Sequence, residues 1–568
     1  MANKSVFSGS RVKKTKAKSK KSIKEVTNPV VLVAPPATTA NKAGGRSYDK
    51  TKQEQLAQLV TTGCLNNTFY STAESQLKDI ITLANECNDR FIAQCAMYSR
   101  QKAFMKDMPA LMMAILSTRN NTMFKQTYPV VINNPKMLRN FVQILRSGVL
   151  GTKTVARRSV KNMINKQLNA LSDHQLLNAT IGNDPSLADV IRLCHPKANN
   201  AARNAAYRWI LGYKVDSNTS ATTVAVGDLP PIFQQFELWK ADPSNSTLPH
   251  VDFQLITGTP GIDDGTWNQL AKNGNWHFTR MNLNTFQRHN VYNDSSTVET
   301  ITSKLVDAEQ IKKARVFPYQ LYTSLEYVKN IPVEIGNALK QALDLTVNNI
   351  PALKGKVGIF IDGSGSMTAP VTGTRAGATT KMSCIDVACL IGAGYFKKNE
   401  KADLYIFDTT IKYSSRKNSN TLSQNKSLLD LTNEIRSNVR MGGTNISCCF
   451  DEVNNQNYDY VIILSDNASW ADYYGRATVR SPATASAKAW FQYRNRNPHA
   501  KLALVDLAPG NTTQVSTDNS VLNVGGFSNS VFDVITQFFN NQGSWVDVIE
   551  NYTYTGSNNS EPVEVEAE

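Results

Sequence analysis

The sequence predicts a multidomain protein in which an α-helical half precedes an α/β half built on a doubly wound, mostly parallel sheet. From about residue 50 to 220, apolar residues recur at three- and four-residue spacing, as they do on amphipathic helices. After residue 351, short apolar runs alternate with helix-like segments, which is the pattern of a parallel sheet covered by helices. The 568 residues are enough for two or more such domains.

Both ends of the chain lack the apolar pattern of a folded core. Residues 1–45 contain ten Lys or Arg and one Glu, so we expect a disordered basic tail, with a linker over 34–45. Residues 546–568 end in SEPVEVEAE and predict an acidic tail. The two domains between the tails are then expected at 46–350 and 351–545.

The net charge of +16 is unevenly distributed. It is about +9 in residues 1–45, about +12 in 46–220 and about −5 in the remainder. A basic half of this kind predicts a polyanionic partner, nucleic acid foremost, although a merely solvated basic surface is the alternative. No apolar run is long enough to span a membrane, and no signal-peptide core is present. Eight cysteines without a C-x-x-C pair indicate free thiols in a reducing cytosol.

The helical half contains four segments with clear helical spacing, namely ESQLKDIITLANEC, DRFIAQCAMYSRQKAF, PALMMAILSTRN and PKMLRNFVQILRSG. Several short helices in succession predict an α-solenoid or an irregular bundle. Residues 221–300 are rich in Asn, Thr, Gly and Pro and show little periodicity, and we expect helix again over 333–349.

The α/β half contains four apolar runs that predict buried strands: VGIFID (357–362), ADLYIFD (402–408), DYVIILSD (459–466) and AKLALVDL (500–507). Asp362 and Asp466 each end one of these runs. Because ligands of parallel sheets bind at the carboxyl ends of the strands, both side chains are expected at the binding edge.

The loop after the first run, D-G-S-G-S, places Asp362, Ser364 and Ser366 at alternate positions. Three oxygen side chains on one tight loop suit a hard divalent cation, most naturally Mg²⁺. Further oxygens are offered by Thr444, which follows two glycines, and by Asp466. The sequence therefore predicts a metal site made from these five residues.

Other interpretations of this loop are weaker. A P-loop would need G-x-x-x-x-G-K-[ST], and a nucleophile elbow would need a glycine that IDGSG lacks. A metal-dependent hydrolase would need a general base; Asp408 and Asp466 are available, but the motif loops contain no His or Glu. A glycine-rich surface loop without an ion remains an alternative.

The ordered set Asp-x-Ser-x-Ser, Gly-Gly-Thr and strand-end Asp resembles a metal ion-dependent adhesion site, and residues 355–545 resemble a von Willebrand factor A (vWA) domain. The helical half resembles the TROVE module of the Ro autoantigen family in YSRQKAFMKDMPALMMAILS (98–117), LGTKTVARRSVKNMI (150–164) and RLCHPKA (192–198). A TROVE module followed by a vWA domain is the order found in that family.

This resemblance implies a ring of HEAT-like helical repeats closed by the vWA domain. It implies binding of small noncoding Y RNA or of the single-stranded ends of misfolded RNA, in RNA quality control. Bacterial relatives can tether an exoribonuclease, and the family is not known for catalysis. The chain departs from the family in NATIGNDPSLADVI, which lacks the Trp-Ser/Thr-His and basic run that help to grip Y RNA.

Candidate RNA-binding residues follow from spacing and from the resemblance. Lys153, Arg157, Arg158 and Lys161 would form one basic face of a helix, able to bind phosphates without reading sequence. A solvated charged face is the alternative.

Four further residues complete the RNA-binding set. Lys106 lies in the Met-Lys-Asp-Met-Pro turn, where it either faces RNA or caps a helix. His195 and Lys197 lie in the family-like segment. Arg203 lies near aromatic residues that could add base stacking to a phosphate contact, although aromatic pairs in helices are more often core.

The sequence thus predicts a cytoplasmic, noncatalytic RNA-binding scaffold with a Mg²⁺ ion or another divalent cation in its vWA domain. The alternative is a metal-dependent protein-interaction module that recruits an acidic partner, without specific RNA.

Overall fold

The structure is a computed structural model that describes residues 31–62, 72–151, 157–243, 246–314, 316, 318–371, 382–417, 422–470, 482–526, 529–540 and 543–553. Lys153 and parts of both predicted tails, 1–30 and 554–568, lie outside these ranges. The predicted architecture is confirmed, because a mostly helical region precedes an α/β domain with a largely parallel sheet.

The helical region is a succession of short helices. In the described residues these are α1 to α19, in order Lys52–Thr62, Ala73–Glu86, Asp89–Gln101, Asp107–Arg119, Asn121–Val131, Pro135–Ser147, Arg158–Ala170, Asp173–Asn178, Leu187–Cys194, Ala201–Ile210, Pro231–Ala241, Phe253–Thr257, Asp264–Asn273, Trp276–Met281, Leu283–Arg288, Ser295–Leu305, Ala308–Lys313, Pro318–Tyr327 and Val333–Leu345. Short 3-10 turns occupy Val226–Asp228, Val291–Asn293, Thr346–Asn349 and, in the α/β domain, Gly365–Thr368.

Local capping explains many of these helix boundaries. In α6 the side chain of Asn134 accepts a hydrogen bond from the N–H of Met137, Pro135 occupies the first turn, and Gly148 ends the helix in the left-handed conformation. Similar side-chain caps begin several helices of 221–300, as at Asp263. The poor periodicity of this part of the sequence did not reveal these helices, because helices this short show no clear period.

The α/β domain adds six helices to the described elements and contains most of the strands. The helices are α20 Cys384–Lys398, α21 Leu428–Ser437, α22 Ser447–Asn454, α23 Ala485–Arg496, α24 Asn529–Phe539 and α25 Trp545–Glu550. The strands in the described residues are β1 Thr39–Ala40, β2 Arg46–Asp49, β3 Lys214–Asp216, β4 Thr223–Ala225, β5 Val357–Asp362, β6 Ala402–Phe407, β7 Ile411–Ser414, β8 Tyr460–Ser465, β9 Lys501–Asp506, β10 Thr512–Thr513 and β11 Val521–Gly525.

Six strands form the central sheet in the order β11-β9-β8-β5-β6-β7, with β5 in the middle and only β7 antiparallel to its neighbour. Alternate side chains of β5 enter different cores. Ile359 and Ile361 join a core that continues into the helical region, whereas Phe360 packs with Tyr405 in a second core on the opposite face. Burial on both faces explains the continuous apolar runs in the sequence.

Both ends of the helical region contact the α/β domain, so the chain closes on itself. At one end, α1 and α3 pack against α25, and the rings of Tyr98 and Tyr552 meet edge to face at 5.5 Å. At the other end, α18 packs on α20 and α19 on α21. The predicted acidic tail therefore cannot begin at residue 546, because Trp545–Glu550 is the helix that packs against α1 and α3.

The N-terminal segment is also built into the α/β domain. Strand β2 pairs with β1 and with β10 in a small antiparallel sheet, although the sequence predicted a linker over 34–45. Lys50, which follows β2, is buried with its ammonium 3.4 Å from the carboxylate of Asp506 at the end of β9. Burial lowers the pKa of Lys50 and raises that of Asp506, so each ion depends on the other to offset its desolvation.

We expect Lys50→Met to lower the free energy of unfolding by about 3–5 kcal/mol, because it leaves the buried Asp506 carboxylate without its cation. The matched control is Lys52→Met, which removes an exposed ion pair with Glu86 and should change stability by about 0.5 kcal/mol or less. Chemical denaturation measures both. Adding Asp506→Asn to Lys50→Met should recover part of the loss, and equal effects of the two lysine variants would contradict the role of the ion pair.

Candidate functional site

Four buried aspartates lie at the carboxyl ends of adjacent strands in the central sheet. Asp362 ends β5 and Asp506 ends β9, while Asp408 and Asp466 directly follow β6 and β8. Each side chain is at most a few per cent exposed. Since parallel strands end at the same edge, the fold collects four carboxylates on one side of the sheet.

Two of these carboxylates have a lysine partner. Asp408 lies 3.2 Å from the ammonium of Lys412, and Asp506 is paired with Lys50. The described hydrogen bonds to Asp362 come instead from neutral donors, which are the hydroxyl of Ser465 at 2.5 Å and the N–H of Ser364 at 2.8 Å. Asp362 is therefore a buried carboxylate held by a hydroxyl and an amide.

The loop after β5 directs a row of oxygen atoms towards this edge. Ser364 is buried and its hydroxyl lies 3.3 Å from the hydroxyl of Ser366. The loop is fixed to the next motif, because Ser364 forms a β-bridge with Gly442 and the N–H of Gly365 donates to the carbonyl of Gly442 at 3.0 Å.

The two glycines before Thr444 are needed for close packing. A Cβ atom on Gly442 would collide with the carboxylate of Asp408, and one on Gly443 would lie 2.8 Å from the ring of Trp470. Thr444 itself is buried. The G-G-T sequence thus lets this loop pack closely against Asp408 and Trp470, where bulkier residues would hold it away.

The segment Asp466–Trp470 connects all three motif loops. Asn467 adopts a left-handed conformation and donates its N–H to the hydroxyl of Ser465, which itself donates to Asp362. The hydroxyl of Ser469 lies 3.4 Å from the carbonyl of Thr444, and the N–H of Trp470 donates to the same carbonyl at 3.1 Å. Ser465 and Ser469 were not predicted from the sequence, since only the fold shows what they contact.

The electrostatics of the site favour a bound cation. Burial, together with the neighbouring Asp466 carboxylate, raises the pKa of Asp362 to about 7. Two carboxylates and three hydroxyls are a donor set that suits Mg²⁺. Among the described residues no three His, Cys, Asp or Glu side chains form a metal-binding group, so a metal here would depend on the hydroxyls of the motif. Coordination by Asp362, Ser364, Ser366, Thr444 and Asp466 stays a prediction.

The predicted basic helix face is only partly formed. Helix α7 begins at Arg158, and Arg157 precedes it as the N-cap residue, where its guanidinium donates to the carbonyl of Ser117 at 2.9 Å. Lys153 lies outside the described residues. The i, i+4, i+5 and i+8 argument therefore fails for Arg157, although Arg158 is exposed and Lys161 is half-buried on the helix.

Three other candidate RNA-binding residues lie at helix ends or in the loop after α9. His195 is exposed and ends α9 in the left-handed conformation, with φ of 50°. Lys197 is exposed, and its carbonyl accepts a hydrogen bond from Asn169 of α7 at 2.8 Å. Lys106 is the N-cap residue of α4 but makes no side-chain capping bond.

The prediction that Arg203 contacts RNA was wrong, because this side chain is buried. Its guanidinium donates to the carbonyls of Leu168 and Leu171, at 3.0 and 2.6 Å, and pairs with Asp173 at 3.1 Å. Arg203 thus satisfies the carboxyl end of α7. The nearby aromatic residues also take part in packing, since Tyr207 is buried and Trp209 packs edge to face on Phe233.

Comparison with known proteins agrees with this architecture. Residues 356–539 match the family model described as the Ro60 vWA domain. The RNA-binding protein RO60 of Deinococcus radiodurans is 25% identical over 387 residues, covering 60% of this chain and 68% of that protein. The crystal structure of the Deinococcus radiodurans RO (RSR) protein superposes with a TM-score of 0.59 at 18% identity, covering 86% of this chain and 99% of that one.

The chain is therefore similar to Ro proteins, in sequence in its α/β domain and in fold over most of its length. The structural match extends over the helical region as well as the vWA domain, so the Ro architecture is shared by both halves. Among the helices that the structure describes, none is both long and apolar enough to cross a membrane.

We expect Asp362→Asn to have opposite effects on stability with and without Mg²⁺. The pKa of Asp362 rises from 3.8 to about 7 on folding, so the metal-free protein loses stability as the pH rises between those values, by on the order of 4 kcal/mol. At pH 8 the variant should therefore be the more stable protein without Mg²⁺, and the less stable one in saturating Mg²⁺. Thermal unfolding measures both, and an equal Mg²⁺ shift in the two proteins would contradict the site.

We expect Arg203→Ala to lower the free energy of unfolding by about 2–3 kcal/mol, because it leaves buried carbonyl groups without a donor. The salt dependence of RNA binding should not change. Arg158→Ala is the reciprocal control, since its exposed side chain should affect stability by less than about 0.5 kcal/mol. If Arg203 contacted RNA instead, Arg203→Ala would weaken RNA binding and would leave the free energy of unfolding nearly unchanged. Chemical denaturation and RNA titrations measure these two quantities.

Proposed function

We propose that this chain, like the Ro proteins it resembles, is a noncatalytic RNA-binding scaffold, whose helical region binds RNA and whose vWA domain holds a divalent cation. The observation that carries the proposal is the cluster of basic side chains on α7 and at the end of α9, in a chain whose Deinococcus relative is named an RNA-binding protein. We refer to Arg158, Lys161, His195 and Lys197 as the α7–α9 basic surface.

The packing of α7 on α9 supports treating these residues as one surface. Lys161 is close enough to Cys194 for its charge to oppose part of the rise that burial causes in the pKa of that thiol. His195 directly follows Cys194, and Lys197 is tied to Asn169 of α7. Side chains of this kind bind phosphates and supply affinity that depends on salt but little on base sequence.

The class of RNA is proposed from this chemistry and from the family. Phosphate contacts suit small noncoding RNA or the single-stranded ends of misfolded RNA, in RNA quality control or in the assembly of a ribonucleoprotein. The segment 178–191 lacks the basic run expected for gripping Y RNA. We therefore favour recognition of RNA ends over recognition of a Y-type RNA.

In the vWA domain, Mg²⁺ or another divalent cation would be held by Asp362, Ser364, Ser366, Thr444 and Asp466. The cation would neutralise the buried carboxylates and leave a position for an oxygen ligand from a partner, such as an exoribonuclease or another protein. The loops that carry these residues contain no His or Glu to serve as a general base, which supports a binding role over hydrolysis.

The surroundings of the metal site also support a second candidate function, a metal-dependent protein-interaction module. Trp470 lies beside Gly443 and is 37% exposed, and Met441, two residues before Gly443, is 43% exposed. Exposed apolar side chains next to a cation would suit a protein partner that presents a carboxylate. In this function the basic surface would bind no specific RNA.

A cytoplasmic location is proposed from the cysteines. Seven cysteines in the described residues are buried free thiols, scattered through both halves of the chain. Unpaired thiols of this kind are typical of proteins in a reducing compartment.

We expect the triple variant Arg158→Gln, Lys161→Gln and Lys197→Gln to bind RNA at least tenfold more weakly and with a flatter salt dependence. Each lost phosphate contact should reduce the slope of log affinity against log salt by about 1. Filter binding or fluorescence anisotropy with a single-stranded RNA measures both quantities.

The matched control is Lys340→Gln, Lys354→Gln and Lys401→Gln, which removes the same charge from exposed positions outside this surface. Equal losses in the two triple variants would mean that RNA binding follows net charge alone. An unchanged affinity in both would overturn the proposed RNA surface and favour the protein-interaction module.

A further inference from the structure

The N-terminal segment 38–50 lies against the loop that carries Asp466. We propose that this segment positions the metal site, and that Asn41 is the residue through which it acts. The inference rests on the metal site of the proposed function. It adds that Mg²⁺ binding depends on a part of the chain more than 300 residues away from the first metal motif. Asn41 would not touch the cation, and its role is therefore that of a positioning residue.

The side chain of Asn41 makes two kinds of contact. Its Oδ1 accepts hydrogen bonds from the N–H groups of Ala43 and Gly45, at 3.0 and 2.9 Å, and so closes the turn between β1 and β2. Its Nδ2 donates across to the carbonyl of Ser469 at 2.7 Å. One buried amide thus holds the turn together and also fixes it to the loop of the metal site.

The approach of the turn to this loop leaves no spare room. A Cβ atom on Gly45 would collide with the carbonyl oxygen of Ser469 and would lie 3.0 Å from the Cα of Trp470. Both of these are backbone atoms, which cannot move aside as the end of a flexible side chain can. Glycine at 45 is therefore required for the contact that Asn41 makes.

From Ser469 the contacts continue directly to a predicted metal ligand. The Ser469 hydroxyl accepts a hydrogen bond from the N–H of Ile446 at 3.1 Å and lies 3.4 Å from the carbonyl of Thr444. The next residue, Trp470, donates its N–H to that same carbonyl. Asn41, Ser469 and Thr444 are therefore linked through consecutive contacts.

The other end of the segment reaches the same loop from a second direction. Asp49 of β2 pairs with Thr512 of β10, and the carbonyl of Thr512 accepts a hydrogen bond from the side chain of Asn467 at 3.3 Å. Asn467 in turn binds Ser465, the residue that donates to Asp362. The segment thus supports both the Thr444 and the Asp362 sides of the site.

Such an arrangement couples two equilibria. If the docked segment favours the geometry that binds the cation, the bound cation must favour the docked segment by the same factor. Mg²⁺ should therefore protect residues 38–50, and weakening the attachment of the segment should weaken Mg²⁺ binding. A merely structural role for the segment would produce neither effect in a folded protein.

The first test is Mg²⁺ titration of the full chain by calorimetry. Asn41→Asp keeps the oxygen that closes the turn but removes the donor to Ser469, and Gly45→Ala separates the turn from the loop without adding charge. Loss of one such hydrogen bond corresponds to an affinity weakened by about fivefold, and we expect at least this in both variants. Thr38→Ala is the matched control, because the Thr38 hydroxyl accepts a hydrogen bond from the N–H of Asp49, within the segment, and makes no described bond to the Asp466–Trp470 loop. This variant should leave the affinity unchanged.

The second test is hydrogen exchange of the amides of residues 39–49, in saturating Mg²⁺ and without it. We expect Mg²⁺ to slow exchange in the wild-type protein and not in Asp362→Asn. Three results would overturn the inference and leave the metal site standing. They are wild-type Mg²⁺ affinity in both Asn41→Asp and Gly45→Ala, an equal loss of affinity in Thr38→Ala, and exchange rates that are the same with and without Mg²⁺. Absence of Mg²⁺ binding by the wild-type protein would instead overturn the proposed metal site.

Discussion

The cost of burying negative charge governs the carboxyl edge of the central sheet. Four parallel strands end in buried aspartates, and a buried carboxylate is stable only when a cation or several donors compensate for its lost hydration. Lys412 compensates Asp408, and Lys50 compensates Asp506. Asp362, held by a hydroxyl and an amide, keeps a raised pKa beside Asp466. A divalent cation is the partner that would complete this edge, and the hydroxyls of the D-x-S-x-S and G-G-T loops suit it.

The same constraint draws distant parts of the chain together. Lys50 reaches Asp506 only because β2 pairs with β10, and this pairing also brings Asn41 onto the Asp466–Trp470 loop. The helical region contacts the vWA domain through both of its ends, because α1 and α3 pack on α25 while α18 and α19 pack on α20 and α21. The α7–α9 basic surface belongs to this closed framework, and the proposed RNA and metal sites are therefore parts of one continuous fold.

Local patterns explain what could be predicted from the sequence. The strands of the sheet and the position of Asp362 follow from apolar runs and from the residues that end them, because neighbouring residues alone determine that pattern. Asn41 and Lys50 gave no such signal, since their partners lie 428 and 456 residues away. Arg203 was misassigned because a charged side chain near aromatic residues looks the same in sequence whether it binds phosphate or caps a buried helix end. The helices of 221–300 were missed because they are too short to show a period.

The most direct test of the central claim is a crystal structure of the full chain soaked in Mn²⁺, with anomalous data collected to locate the ion. Mn²⁺ prefers the same oxygen ligands as Mg²⁺ and is readily distinguished from water. We expect one strong anomalous peak among Asp362, Ser364, Ser366, Thr444 and Asp466. An ordered edge with no peak there, and with the two carboxylates bonded directly to each other through a shared proton, would contradict it.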